Sequence, residues 1–425
     1  MSSFIGWLDY SEADQRQVRE LLRLFDDKGT VDDLGIGTIR DAISNQLFPG
    51  TSVIQTRARY FLFVPWIHME AERRFPDRVI AKAEDMERRL ITALKTSDDQ
   101  DGLIGRQAGT NVQTLPSTIY WNGLATMGVF NARGMSRAQY GRRVGQGTTP
   151  STDLVDELTD RTPSFWNLDI PSPPAGFFGF ETAELRLTRD EADWLSARML
   201  STEQRGGPNL LAGFVRTMPT SEAVPDGAFW DAELPPGTPP QLEELASHAA
   251  RFSFAVRGAT LLYNLMLAER RDREPDRDTA ESIRSRLVDW AGDAERIGLP
   301  SWGRDTGPFF AAVIQPGIKI PAATRAFVTE WGALLAAAPL VALADSGAAR
   351  SMIQLREAQH KRAQARFGNP RRLEAWGGES GTAPLEYRWP LVRRYLRDIH
   401  DGLHQRAALP DLDLPVSAEL VDAEH

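Results

Sequence analysis

The stretch Ala58-Arg59-Tyr60-Phe61-Leu62-Phe63-Val64-Pro65-Trp66-Ile67-His68-Met69 decides the fold. It is apolar on nearly every side of a helix, and a helix without a polar face has to sit inside a shell of other elements. Pro65 removes one amide donor and crowds the preceding turn, so a kink is expected there. Upstream, Ile36, Ile39, Ile43 and Leu47 recur at helical spacing, and Phe48-Pro49-Gly50 ends that stripe. Ser52 with Gln55 reads as a capping box for the apolar helix. Downstream, Val79, Ala83, Met86, Leu90 and Leu94 place a helix over 78–95. At the N-terminal end, Ser11, Val18, Leu21, Leu22 and Phe25 predict a first helix that Gly29 closes.

Similar signals place helices over 117–130, after Ser136, after the Thr188–Glu191 capping box, and near 241–272, 278–296, 322–345, 348–366 and 389–403. Phe178, Phe180, Leu185 and Leu187 fit one short strand or hairpin. The expected fold is therefore mainly α: a multi-helix assembly with a buried central helix and at most a short strand or hairpin. Prolines and glycines over 146–180 form a connector between an N-terminal helical domain, 1–145, and a C-terminal helical region, 181–409. The acidic stretch 410–425 is expected to fray.

Composition narrows the chemistry. Of 425 residues, 42% are hydrophobic, enough for a sizeable core, and none is cysteine. Disulfides, thiolate nucleophiles and Cys-ligated zinc are excluded, which suits a reducing cytoplasm. The N-terminus lacks a signal-peptide pattern. The longest apolar run, Trp331 to Ala344, falls short of the ~20 residues a bilayer span needs, so no membrane segment is expected. His400 and His404 stand i, i+4 without a third ligand and read as solvated helix-end side chains. No metal and no cofactor is therefore expected. Phosphate-loop, zincin and nucleophile-elbow signatures are missing, and Gly35-Ile36-Gly37 meets Arg40 where a dinucleotide fingerprint wants glycine.

Charge gives the functional signal. The net charge is −9, yet residues 350–406 hold twelve Lys/Arg against six Asp/Glu. Within this basic segment Arg362, Arg366, Arg371 and Arg372 lead to Trp376-Gly377-Gly378, then to Arg388, Arg393 and Arg394. Guanidiniums neutralise phosphates, glycines let a backbone approach closely and aromatics stack on bases. Together they point to a surface for nucleic acid or an acidic partner. The plainer alternative makes the aromatics core anchors and the arginines a solvated face. A second candidate is Arg57 with Arg59, beside Asp9, Asp32, Asp33 and Asp41 in sequence. These form either an internal ion-pair network or an anion site. In the latter case Asp9 or Asp41 would serve a phosphodiester- or nucleotide-processing enzyme as acid, base or magnesium ligand. A protein–protein scaffold is the third option.

Several blocks are long and unusual: Phe4-Ile5-Gly6-Trp7-Leu8-Asp9-Tyr10-Ser11, Gly35-Ile36-Gly37-Thr38-Ile39-Arg40-Asp41, Phe48-Pro49-Gly50-Thr51-Ser52 and Thr56 to Trp66, with Trp376-Gly377-Gly378 and Tyr387-Arg388-Trp389 later. They resemble an uncharacterised prokaryotic family across most of the chain. Members of that family look like neighbours of mobile-element or antiphage gene clusters, some with helicases and phospholipase-D-like nucleases. The resemblance implies a DNA-directed accessory role, with DNA and helicase or nuclease proteins as candidate partners. It carries over no catalytic residue, and the sequence sets no oligomeric state.

Overall fold

A computed structural model describes residues 32–148, 164–181, 183–217, 224, 226–271 and 273–404. The predicted first helix, Asp9 and the segment 410–425 lie outside them. Sixteen α-helices and no strand occur among the described residues. The chain begins with α1 (Gly37–Leu47), α2 (Tyr60–Arg74), α3 (Val79–Leu94), α4 (Pro116–Thr126) and α5 (Arg137–Gly145).

The apolar stretch forms α2, and every residue from Tyr60 to His68 is buried in it. Ser52 and Gln55 do not cap it. The Ser52 amide donates to Gln55 Oε1 (3.0 Å) and the Gln55 amide to Ser52 O (3.1 Å), closing a turn that ends before α2 begins. The free amides ahead of α2 go to tertiary partners instead. Tyr120 Oη accepts from Thr56 and Arg57, and Asp398 Oδ2 accepts from Ala58. A helix whose surface is wholly buried can draw its caps from other elements.

After α5 come α6 (Arg189–Leu200), α7 (Thr202–Gly206), α8 (Leu210–Thr217) and the 32-residue α9 (Pro240–Arg271). The remainder is α10 (Glu274–Arg296), α11 (Leu299–Arg304), α12 (Gly307–Val313), α13 (Ala322–Ala337), α14 (Gly347–Lys361), α15 (Pro370–Glu374) and α16 (Trp389–Leu403). Thr188 and Glu191 form the predicted capping box at the start of α6. The helix expected over 322–345 stops at Ala337, before Pro339. Helices α9 and α10 pack so closely that a Cβ on Gly258 would lie 2.3 Å from the Trp290 ring. Trp290 and Trp331 donate their indole N–H groups to Phe254 O and Ala255 O, which fastens α10 and α13 to the middle of α9.

The hairpin expected around Phe178–Leu187 is replaced by a single 3₁₀ turn, Phe177–Gly179, followed by Phe180 in the left-handed region (φ 56°). Phe177 packs on Phe63 and Trp66 of α2, with ring centroids 5.7 and 5.2 Å away. Clustering against a helix, rather than alternating across a sheet, is what these aromatics do. The one sheet-like pairing among the described residues is an antiparallel bridge between Phe130 and Trp166. A continuous apolar cluster runs from Leu34 to Ile399 and draws on both sides of the 146–180 connector. Among the described residues no helix is long and apolar enough to cross a membrane.

One carboxyl inside the N-terminal bundle titrates abnormally. Glu87 of α3 is fully buried, and its Oε2 accepts from Ser117 Oγ (3.1 Å). Burial pushes its pKa up to about 7, with Arg137 and Ser117 pulling the other way. Between roughly pH 4.5 and 7 the folded chain then keeps a proton that the unfolded chain has released. The stability due to this group is full below that window and falls as pH rises through it, by on the order of 3 kcal/mol. Glu87→Gln should remove the dependence. The urea midpoint of the variant relative to wild type should climb from pH 4.5 to 7 and then level. A difference that does not vary with pH would show that Glu87 is ionised throughout.

Candidate functional site

Arg57 and Arg59 stand at the entrance to α2, both nearly sealed from solvent. Arg57 Nε donates to Asp398 of α16 (2.9 Å), and Nη1 to Asp99 (2.7 Å) and to Asp101 O (2.9 Å). Burial works against its charge, but Asp398 and Asp99 outweigh that and raise its pKa. Arg59 donates to Glu191 (2.7 Å), the same carboxylate that caps α6, and to Glu184 O (2.9 Å). Asp41 sits elsewhere, paired with Arg40 (3.1 Å). Arg57, Arg59 and Asp41 therefore do not converge on one cavity. The two arginines form internal ion pairs, with acids far away in sequence rather than with the neighbouring aspartates.

The C-terminal basic segment is also largely engaged. Lys361 and Arg366 both bind Asp33, whose carboxylate is buried and also accepts from Ser380 Oγ (2.5 Å). Arg366 Nη1 reaches Tyr263 Oη (2.8 Å), and Tyr263 donates to the buried Glu357 (2.5 Å). Arg356 donates to Leu34 O and Gly35 O (2.6 and 3.0 Å). Arg393 and Arg397 share Asp226, and Arg394 pairs with Asp101 (2.8 Å). Trp376 is buried, donates to Asn264 Oδ1 (3.0 Å), and lies under the Arg271 guanidinium. It cannot stack on a base, so Trp376-Gly377-Gly378 works as a core anchor and turn. Tyr387 and Trp389 are likewise buried.

Three cations of the segment remain exposed and without an ion pair among the described residues: Arg362, Arg371 and Arg372. Asn369 gathers them. Its Oδ1 accepts from the Arg371 and Arg372 amides (3.1 and 3.4 Å) at the start of α15. Its Nδ2 donates to Ala363 O (3.1 Å), next to Arg362.

Arg388 faces a cleft of about 270 Å³ between α1, the middle of α9 and the turn before α16. Its Nη1 donates to Asn45 Oδ1 and Thr51 O (2.8 and 2.7 Å), and Nη2 lies 3.8 Å from Asp41. Burial lowers its pKa, Asp41 works against that, and Arg40 adds to it. Tyr387 and Arg388 both have positive φ (49° and 70°), a costly backbone for non-glycine residues that their buried surroundings enforce. The walls include Leu34, Ile36, Val256 and Leu385. The acids beneath are occupied, Asp32 by the Ile36 and Gly37 amides and Asp33 by its cations. Such a site can hold a small group, and Glu386, which also lines it, brings a carboxyl whose pKa burial raises while Arg393 pulls the other way.

His400, expected to be solvated, is buried, and neither ring nitrogen has a hydrogen-bond partner. Burial lowers its pKa, His404 adds to that, and Asp401 opposes it. No group of three His, Asp or Glu among the described residues is placed to hold a metal. Sequence reasoning missed Asp99, Glu191, Asp226 and Asp398, the acids that take up the candidate arginines. The charge balance was the only signal for them, since a basic segment in an acidic chain has acids available elsewhere.

The chain belongs to DUF6361, a family of unknown function. The family's model matches residues 1–402. No curated protein and no solved structure matches the chain.

The Arg57–Asp398 pair of this DUF6361 chain has a measurable consequence. Asp398→Asn leaves a buried guanidinium short of its counter-charge and should destabilise the fold by about 3 kcal/mol. Asp226→Asn, which alters a carboxylate 88% exposed, should leave the urea midpoint where it was. Equal midpoints for the two variants would show that the Arg57 pair does not hold the fold.

Proposed function

We propose that this chain is a non-catalytic component of a DNA-directed, multi-protein defence system. It would meet the phosphate backbone through the lobe that carries Arg362, Arg371 and Arg372. The observation behind this is the exposure of three unpaired guanidiniums on a lobe tied together by Asn369, in a segment whose other arginines are mostly committed to internal partners. A planar guanidinium fork suits phosphate oxygens. The aromatics Trp376, Tyr387 and Trp389 are buried in the core, so contact would be with backbone and not with bases. Binding should then be indifferent to DNA sequence and sensitive to salt. The family resemblance supplies the setting, a cytoplasmic complex with helicase or nuclease proteins.

Fluorescence anisotropy with duplex DNA over a range of salt tests this. Three phosphate contacts should give a slope of log K against log salt of roughly −2.7. Reversing all three charges (Arg362→Glu, Arg371→Glu, Arg372→Glu) should abolish binding while circular dichroism and melting stay unchanged. Reversal of Arg366 and Arg388 should instead damage the fold. Retained DNA binding in the triple variant would discard the proposed interface.

A further inference from the structure

Arg40 and Arg388 meet at one end of the cleft between α1, the middle of α9 and the turn before α16. Arg40 Nη2 lies 3.1 Å and Arg388 Nη2 3.8 Å from the same oxygen, Asp41 Oδ1, so two guanidiniums share one carboxylate, itself 48% exposed. Arg388 Nη1 is held by Asn45 Oδ1 and Thr51 O, which fixes that guanidinium before anything binds. Arg388 Nη2 and Arg40 Nη1 make no hydrogen bond among the described residues, and neither is closed off from solvent as Arg388 Nε is. Both residues line the cleft. Burial lowers the Arg388 pKa, and Asp41 does not make up the difference. This end of the cleft therefore holds more positive charge than its one acid balances, with open donors to receive an anion.

The rest of the cleft is mostly apolar. Leu34 and Ile36 ahead of α1, Val256 on α9, and Leu385 and Leu391 near the start of α16 line it, and Val53 is left half exposed there. Asp32 and Asp33 also line it, but their oxygens are taken by backbone amides and by Lys361 and Arg366. The charge that acts on Glu386 is that of Arg393, and those that act on Arg388 are Asp41 and Arg40, so Glu386 stands apart from the guanidinium end. At about 270 Å³ the cleft falls just below the ~300–1,000 Å³ of sites for drug-sized ligands, so it suits a small molecule better than a peptide segment.

We propose that this cleft binds a small apolar carboxylate, such as a short aliphatic acid. Its carboxylate sits between Arg40 and Arg388 and supplies the negative charge that Asp41 alone does not, in the planar geometry a guanidinium fork prefers. Its hydrocarbon displaces water from Leu34, Ile36, Val256 and Leu385. Inorganic phosphate or a nucleic-acid strand would leave those walls wet. The site is thus separate from the lobe of Arg362, Arg371 and Arg372 and uses none of its residues.

Calorimetry and thermal melting on the full chain at neutral pH, with chloride balancing ionic strength, provide the test. The probes are acetate, hexanoate, hexanamide and hexylamine. Hexanoate should raise the melting temperature above the chloride control. Hexanamide, with the same chain and no charge, should bind about tenfold or more weakly. Acetate, with the charge and almost no chain, should also lose about tenfold or more, and hexylamine should not bind. Arg40→Gln should weaken hexanoate binding by about tenfold. Asp41→Asn removes the carboxylate that competes for both guanidiniums and should tighten it, which a purely structural ion-pair cluster would not do. Ala383→Trp, at an exposed position on the cleft wall, should block binding while the free protein melts as before. Reversal of Arg362, Arg371 and Arg372 should leave hexanoate binding intact, which separates this site from the lobe. The site is overturned if hexanoate does no better than chloride, if hexanamide binds as tightly, or if both Ala383→Trp and Arg40→Gln bind hexanoate like wild type.

Discussion

The buried contact between Arg57 and Asp398 is the constraint on which the rest of the structure depends. The two residues lie 341 positions apart, yet Asp398 receives the Arg57 guanidinium and the Ala58 amide together. It thereby settles where α2 starts and how α16 lies against it. Helix α2 is buried along most of its length, so its orientation sets that of the helices around it. Glu191 repeats the arrangement on the other side, capping α6 and holding Arg59 with the same carboxylate.

The basic segment extends this pattern. Residues 33–35 are gripped by Arg356, Lys361 and Arg366, all from the C-terminal part of the chain. Most of the positive charge concentrated between 350 and 406 thus holds distant acids and carbonyls in place. A surplus of arginine in the sequence is consequently a poor measure of the surface charge. What remains available is smaller: one lobe gathered by Asn369.

Much of the fold was legible because its signals are local. The all-round apolarity of 58–69, the Thr188–Glu191 box and the long pattern leading to Arg271 each depend on neighbours within a few turns. The aromatic run at 177–180 misled because strand and core-filling turn use the same side chains, and only the presence of α2 beside them decides. The candidate site was less legible. Arg57 and Arg59 stand out in the sequence as cations at an apolar helix, readable as ion-pair partners or as an anion site, but no local pattern names Asp398 or Glu191. Trp376 read equally well as a stacking platform or a core anchor. Its hydrogen bond to Asn264, 112 residues away, resolves that.

The separation between Arg57 and Asp398 also bears on how the chain is made. During synthesis the first helices emerge long before α16 does, so α2 must wait with a cationic entrance and an apolar surface that nothing yet covers. Folding of that region is tied to the emergence of α16 from the ribosome, and contacts so distant form slowly. A chain cut short before residue 398 would expose one of its most apolar segments. Such a product is better suited to aggregation or to capture by a chaperone than to partial activity.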